Sequence, residues 1–482
     1  MNYDLYAALA AASAKDADAL AGGSEHRYDI QDMAVRIQLL AGEENKGDAV
    51  NSYLSLVHAS QPSRQDGSQS QAEADCDESK PSRYAQGLIK PAQQDLTDLG
   101  LLKPDVPALE ALPPFSAFLQ FTLTVAKAYI SKDDDPLYVS DGVNPVRKDK
   151  VFKVPMVSAS GWKGRMRWVA MHTRLIQKRD ELDAEKFARE RLRQALLFGD
   201  EKGQEIERSH EFAAFLDAAK PDAVPLYREM LQACFDVRDR DTLPSHRGRL
   251  MYYPTYFDRI DVEVINPHSR ETKAGTLPIY LECVPPCATG VFSLLYVPFD
   301  CIGQDEAEIR AEVAADLPLV AQALQAMLTT YGFGAKTSSG FGVARETVNG
   351  TLTVRAEVVS PASQPTLPAA PSRDPSLPRH FAAPGVLKRE YLNPDGTFRE
   401  RTAAEIGRLS KSDKQVYEKA KGWWEREGKA LASQPPAPIE PPPPSAPVWA
   451  SCTFSSFDEL RKQLSGEESN DVATALGVTK HA

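Results

Sequence analysis

Tyr331-Gly-Phe-Gly-Ala-Lys-Thr-Ser-Ser-Gly-Phe-Gly342 is the stretch on which the fold turns. Its four glycines, Gly332, Gly334, Gly340 and Gly342, give a backbone that can turn tightly and meet a ligand with no Cβ in the way. Lys336, Ser338 and Ser339 among them add a cation and hydroxyls, so the loop can offer N–H groups and positive charge to a phosphate. Upstream, Ile309, Val313, Leu317, Val320, Leu324 and Met327 recur near a period of 3.6, which predicts an amphipathic helix over 305–330, with Pro318 as a point of bending. Downstream, residues 343–354 predict a strand. The order is helix, glycine loop, strand. Dinucleotide folds and P-loops need strand, loop, helix, because their phosphate sits on a helix N-terminus. A mononucleotide enzyme is therefore a poor fit, and a loop that hugs a polymer of phosphates is a better one. On the loop alone, a tight turn that holds no ligand fits equally well.

Composition narrows the class. The chain has 482 residues, long enough for more than one unit, and is 42% hydrophobic and 26% charged, as soluble globular proteins are. A net charge of −11 argues against a non-specific nucleic-acid binder, although a groove on an acidic protein can still be basic. Six irregularly spaced cysteines make no disulfide framework. Cys283 and Cys287 lack a second Cys or His pair at zinc spacing and are read as strand residues. No basic flank precedes an apolar run at the N-terminus, and no run of 18 apolar residues occurs, so the expected compartment is the cytoplasm, with no membrane partner.

Along the chain, residues 1–58 read as helical. Residues 59–114 read as a linker, Ser-, Gln- and Asp-rich at first and Pro-punctuated at the end. An ordered core spans 115–358. It opens with an alternating strand over 115–130, then a polar loop over 132–150 with Asp133, Asp134, Asp135, Asp141, Arg147, Lys148 and Asp149. A helix capped by Ser158 or Ser160 follows and carries Lys163, Arg165 and Arg167 in its first turns. A second helix over 184–198 ends at Gly199. Strands over 249–257, 260–265, 277–283 and 291–297 lead to the glycine loop. This β-α-(insert)-β-β-α-β order predicts an α+β, ferredoxin-like domain of the RNA-recognition type with helical insertions. Residues 359–385 are a Pro-rich linker. Residues 386–432 form a basic helical segment with Trp423 and Trp424, suited to packing on a neighbouring subunit or to stacking on RNA. Residues 433–448 are a polyproline linker and 449–482 a tethered helical tail.

Four segments in order resemble the RAMP superfamily of CRISPR effector proteins, in particular the repeating backbone subunits of type III complexes. They are Asn144-Pro145-Val146 with Lys148 and Asp149; Val154-Pro155 through Ser160, Lys163-Gly164 and Arg167; Glu282-Cys283-Val284-Pro285, preceded by 249–258 and by His268 and Arg270; and the loop 332–342. The resemblance implies a modified RNA-recognition fold that binds guide RNA (crRNA) and its complementary target. It also implies assembly with other effector subunits, further copies of the same chain among them. By position, Lys163, Arg165 and Arg167 would touch phosphates, opposite Gly332, Gly334, Lys336, Ser338, Ser339, Gly340 and Gly342. The bottom-up reading agrees, since cations and bare N–H groups at a helix start make a sequence-blind phosphate grip.

The resemblance further implies a cleaving aspartate just before the Asn-Pro-Val segment, working with Mg2+ or another divalent metal. Here Val143 precedes Asn144, and Asp141 is the nearest carboxylate, both the catalytic and the metal-binding candidate. A subunit that binds guide without cutting fits the same residues. His246 and His268 fit a guide-precursor-processing endoribonuclease, and more readily a structural or stacking role.

Overall fold

The computed structural model describes residues 53–58, 81–132, 143–201, 212–236, 245–267, 278–357, 378–383, 386–393, 397–429 and 448–478. The chain divides into two compact units, residues 1–358 with 449–482, and residues 359–448. Asp141, the Asp133–Asp135 run, His268 and Arg270 lie outside the described residues, as does most of 1–58.

In chain order the first unit contains α1 (Lys90–Asp98), β1 (Ala117–Lys127), β2 (Val143–Asn144), β3 (Met156–Val157), α2 (Ala159–Met171), α3 (Ala184–Phe198), α4 (Phe212–Ala219) and α5 (Val224–Cys234). Then come β4 (Leu250–Tyr252), β5 (Thr255–Tyr256), β6 (Asp261–Ile265), β7 (Ile279–Cys283), β8 (Thr289–Tyr296), α6 (Glu306–Gln325), β9 (Val343–Ala344) and β10 (Thr347–Glu357). In the second unit, β11 (Phe381–Ala383), β12 (Val386–Leu387), α7 (Ala403–Gly407) and α8 (Lys411–Trp423) follow. The chain then returns to the first unit with β13 (Trp449–Ser456), α9 (Phe457–Leu464) and α10 (Asp471–Leu476).

The main sheet runs β13-β10-β1-β8-β4, antiparallel throughout. Counted as β1, β4, β8 and β10, its four core strands stand in the spatial order fourth, first, third, second. Alternation along β1 decides which face is buried. Ala117, Leu119, Phe121, Leu123 and Val125 point into the large core, where Val313, Leu317, Val320 and Leu324 of α6 and Trp162 and Met166 of α2 meet them. Phe118 points the other way, to a smaller cluster with Leu295, Val297 and Leu109. The expected helix over 305–330 is α6 prolonged by a π-helical turn over Ala326–Tyr331, and α6 continues through Pro318. A three-stranded sheet β2-β7-β6 carries the Asn144 segment, with β2 parallel to β7. Helices α3 to α5 form an insert with a core of its own around Leu175, Phe187, Leu216, Tyr227 and Leu231. Arg191 staples it, buried against Glu201 (2.7 Å) and Asp217 (2.7 Å).

Three sequence expectations need correction. Residues 449–482 do not open as a helical tail. Ala450, Cys452 and Phe454 alternate inward as β13 pairs with β10, and α9 lays Phe457, Leu460 and Leu464 on the same core. The end of the 59–114 segment is structured: α1 buries Ala92 and Leu96, and Gln120 donates to the Pro104 carbonyl (2.8 Å). Cys283 ends β7 as a strand residue, but Cys287 sits in the next turn at φ 68° and is disulfide-bonded. No described helix is long and apolar enough to cross a membrane.

Candidate nucleic-acid interface

Helix α2 begins where Ser158 accepts a hydrogen bond from the Gly161 N–H (3.2 Å), the expected N-cap. Trp162, Met166, Val169 and Ala170 bury its inner face, and the Trp162 indole N–H donates to Thr255 Oγ1 (3.0 Å). That anchoring turns Gly161, Gly164, Arg165 and Trp168, spaced i, i+3, i+4 and i+7, outward along one wall. The wall faces a cleft of about 420 Å³, closed on the other sides by Tyr129, Ser131, Lys132 and Arg147 and by Phe333 and Gly334 of the glycine loop. Nothing lies within 4 Å of where a Cβ on Gly164 would stand, so no packing demand fixes glycine there, and the wall is bare backbone. Lys132, Arg147 and Arg165 bring positive charge to the same space.

The glycine loop is built on itself and on the chain that follows β1. Phe333 N–H donates to the Gly342 carbonyl (2.8 Å), Gly342 N–H to Ala128 (2.8 Å) and Ala335 N–H to Ile130 (2.7 Å). A Cβ on Gly342, at φ 70°, would stand 1.9 Å from the Phe333 oxygen, and one on Gly334, at φ 86°, 2.4 Å from the Ile130 oxygen. These glycines are required by close backbone approach within the fold. Gly332 and Gly342 are buried, so the expectation that they touch RNA is corrected: the Gly332 carbonyl accepts from Arg165, and Gly342 bonds Phe333 and Ala128. Gly334, Lys336, Ser338 and Ser339 are exposed and Gly340 half-buried, and of these only Gly334 lines the cleft.

The three expected cations part company. Arg165 lines the cleft but donates to the carbonyls of Tyr331 and Gly332 (2.7 Å to the latter) and to Thr337 Oγ1 (3.2 Å). It thus ties the end of the preceding helix to the loop. Its guanidinium lies 4.6 Å from the Trp168 ring, which stacks on His172 (4.9 Å). Arg167 points to another flank, where it donates to the Gly199 (3.1 Å) and Asp200 (2.8 Å) carbonyls and covers Phe212. It is a strut to the insert rather than a phosphate contact. Lys163 is half-buried on that flank, and burial, then the Arg167 and Arg247 guanidiniums, pull its pKa down against the attraction of Asp200. Sequence reasoning missed Lys132, Arg147, Gly161 and Trp168. The helical spacing from Gly161 to Trp168 was the available signal for two of them.

The segment that precedes the cleft is held by a buried ion pair. Lys148 binds Glu282, which also accepts from the Tyr53 hydroxyl and from Val146 N–H (3.0 Å). Asp149 accepts from Val151 N–H (2.8 Å) and Phe152 N–H (2.9 Å). These described carboxylates beside the Asn144 segment are therefore engaged, and no group of three or more His, Cys, Asp or Glu among the described residues could hold a metal ion. His246 has Asp200 (2.8 Å) and the Ala195 carbonyl (2.9 Å) at its two ring nitrogens and packs on Phe235, a structural placement.

Residues 134–345 match the family model of the RAMP superfamily, a span that encloses α2, the glycine loop and all of the cleft lining but Tyr129, Ser131 and Lys132. The superfamily resemblance carried by the four sequence segments holds over that span. No curated protein matches the chain. Among solved structures, a chain of the cryo-EM structure of the Type III-B Cmr-beta bound to cognate target RNA is similar at 14% identity, with a TM-score of 0.29. The match covers 53% of this chain and 64% of that one, less than two thirds of its length. So distant a likeness supports no shared role by itself.

Proposed function

We propose that the chain binds guide RNA as a backbone subunit of a type III-like CRISPR effector. The observation that carries this reading is the cleft: a helix wall opened by Gly161 and Gly164 at the start of α2, the Gly334 turn, and the cations Lys132, Arg147 and Arg165 around one space, all of these but Lys132 inside the RAMP-matching span. A helix N-terminus with bare backbone at Gly161 and Gly164, and cations beside it, suit a sugar-phosphate backbone and read no base. The strand order fourth, first, third, second is read as the ferredoxin-like arrangement of an RNA-recognition domain. The partners under this reading are guide RNA, its target, and neighbouring effector subunits, including copies of this chain in the cytoplasm.

The test is copurification. The chain is expressed with its neighbouring subunits and a guide, and RNA is extracted from the complex. Wild type retains guide, and the Lys132→Glu/Arg147→Glu variant loses most of it while the complex still assembles. Assembly with no RNA in the wild-type complex would overturn the reading.

Target cleavage through Asp141 with Mg2+ is a separate proposal, and a guide-binding subunit that does not cut is its alternative. Labelled complementary RNA, incubated with the complex with and without Mg2+, decides between them. Regularly spaced, Mg2+-dependent cuts that vanish in Asp141→Ala, with binding retained, establish the cleaving subunit. Intact target in wild type establishes the assembly protein.

A further inference from the structure

The basic segment near the C-terminus is a folded unit whose charge is largely unpaired. Residues 378–429 carry twelve Lys and Arg against eight Asp and Glu, a net +4 on a chain of −11. Its apolar side chains are satisfied internally. Trp423 meets Phe381 edge-on (5.0 Å) and Trp424 lies 6.1 Å from Phe398, around Leu387, Tyr391, Tyr417 and Ala420. The tryptophan pair, expected against a neighbour or on RNA, belongs to the unit's own core, and no aromatic ring of the described part is exposed.

What faces outward is charge, and four of the eight acids have partners within the unit. Glu405 closes a capping box with Thr402, Asp413 bonds Ser410 at the start of α8, Glu427 accepts from the Trp423 indole (2.9 Å), and Glu400 pairs with Lys421 (3.6 Å). Arg379, Lys388, Arg389, Arg408, Lys411, Lys414 and Lys419 form no salt bridge among the described residues. Lys388 follows β12, and its N–H donates to the His380 carbonyl (3.1 Å); Lys419 lies on α8 one turn before Trp423, which packs edge-on against Phe381 (5.0 Å), the residue after His380. Two elements thus bring like charges to one face.

We propose that the face bearing Lys388 and Lys419, above the buried His380, is a second contact for a single-stranded RNA backbone, distinct from the cleft. Point charges without an exposed ring suit phosphates rather than stacked bases. The identity of the polymer rests on the RNA-binding reading above. Covalent linkage to the cleft-bearing unit makes the second contact intramolecular once the first has formed, so even a weak one raises overall affinity.

The experiment titrates the full-length chain with a fluorescent 40-nucleotide RNA at several salt concentrations. Four proteins are compared: wild type, Lys388→Glu/Lys419→Glu, Lys388→Gln/Lys419→Gln, and the cleft variant Lys132→Glu/Arg147→Glu. Thermal melts confirm that each is folded. Losing two phosphate contacts should lower the slope of log affinity against log salt by about 1.4 and weaken binding at low salt by roughly tenfold. The Gln variant should fall between wild type and the Glu variant. Wild-type affinity and slope in both Lys388/Lys419 variants, with binding lost in the cleft variant, would overturn this proposal and leave the cleft reading standing. Binding lost in the Lys388/Lys419 variants but unchanged in the cleft variant would do the reverse. Unchanged RNA affinity together with a changed sedimentation coefficient at low salt would assign the face to an acidic protein surface instead.

Discussion

The two basic regions of this chain use cations in opposite ways. In the RAMP-matching core, Lys148, Arg165 and Arg167 are built into the fold: one neutralises Glu282, and two hold backbone carbonyls. In the unit of 378–429, seven cations stand without a carboxylate partner among the described residues. A motif rich in Lys and Arg therefore does not measure how much charge a ligand can reach. What decides that is which carbonyls and carboxylates each head group already holds. Variants that remove built-in cations should damage the fold, and variants that remove free ones should damage binding alone.

The largest expected effect is at Lys148. It is fully buried with Glu282, so Lys148→Ala leaves a carboxylate uncompensated in the core and should cost about 3–5 kcal/mol. Urea denaturation measures it. The double variant Lys148→Met/Glu282→Leu should recover much of the loss, and failure to recover would mean that the Tyr53 and Val146 contacts matter more than the charge balance. Next is Gly342→Ala. At φ 70°, with the new Cβ 1.9 Å from the Phe333 oxygen, the loop must open, at a cost of about 3 kcal/mol. Guide retention should fall with it. Arg165→Ala follows, at about 2 kcal/mol for the lost charge-assisted bonds to Tyr331 and Gly332. Arg165→Lys should rescue little, because one ammonium cannot reproduce the guanidinium's fork of donors. Full rescue by Lys would show that Arg165 acts through charge and belongs with the free cations.

Much of this was legible in the sequence, and the gaps have physical causes. Helix α6, the glycine loop and the strand after it are local features, written in 3.6 periodicity and in glycines. The cap at Ser158 was local too. Strand β13 was not read, although Ala450, Cys452 and Phe454 alternate, because its partner β10 lies about a hundred residues earlier and a polyproline stretch intervenes. The engagement of Arg165 and Arg167 was invisible for the same reason: the carbonyls they hold come from distant segments. The cleft wall could have been found by projecting residues 161–168 on a helix. Lys132 and Arg147 needed the fold itself, which alone sets them beside that wall.

The smallest effect on stability is expected at Arg147, and it sharpens the comparison most. Its side chain is exposed and forms no salt bridge among the described residues, and its backbone N–H donates to Ser131 Oγ (2.8 Å) whatever the side chain is. Arg147→Ala should therefore shift the unfolding free energy by no more than about 0.5 kcal/mol. The guanidinium nevertheless lines the cleft, so the same variant should weaken RNA binding several-fold and lower its salt slope by about 0.7, one phosphate contact on a single strand. Paired melts and RNA titrations on one preparation read both quantities. A loss of stability equal to that of Arg165→Ala would place Arg147 among the cations built into the fold. An unchanged melt and an unchanged titration would remove it from the interface and leave Lys132 and Arg165 as the cleft's cations.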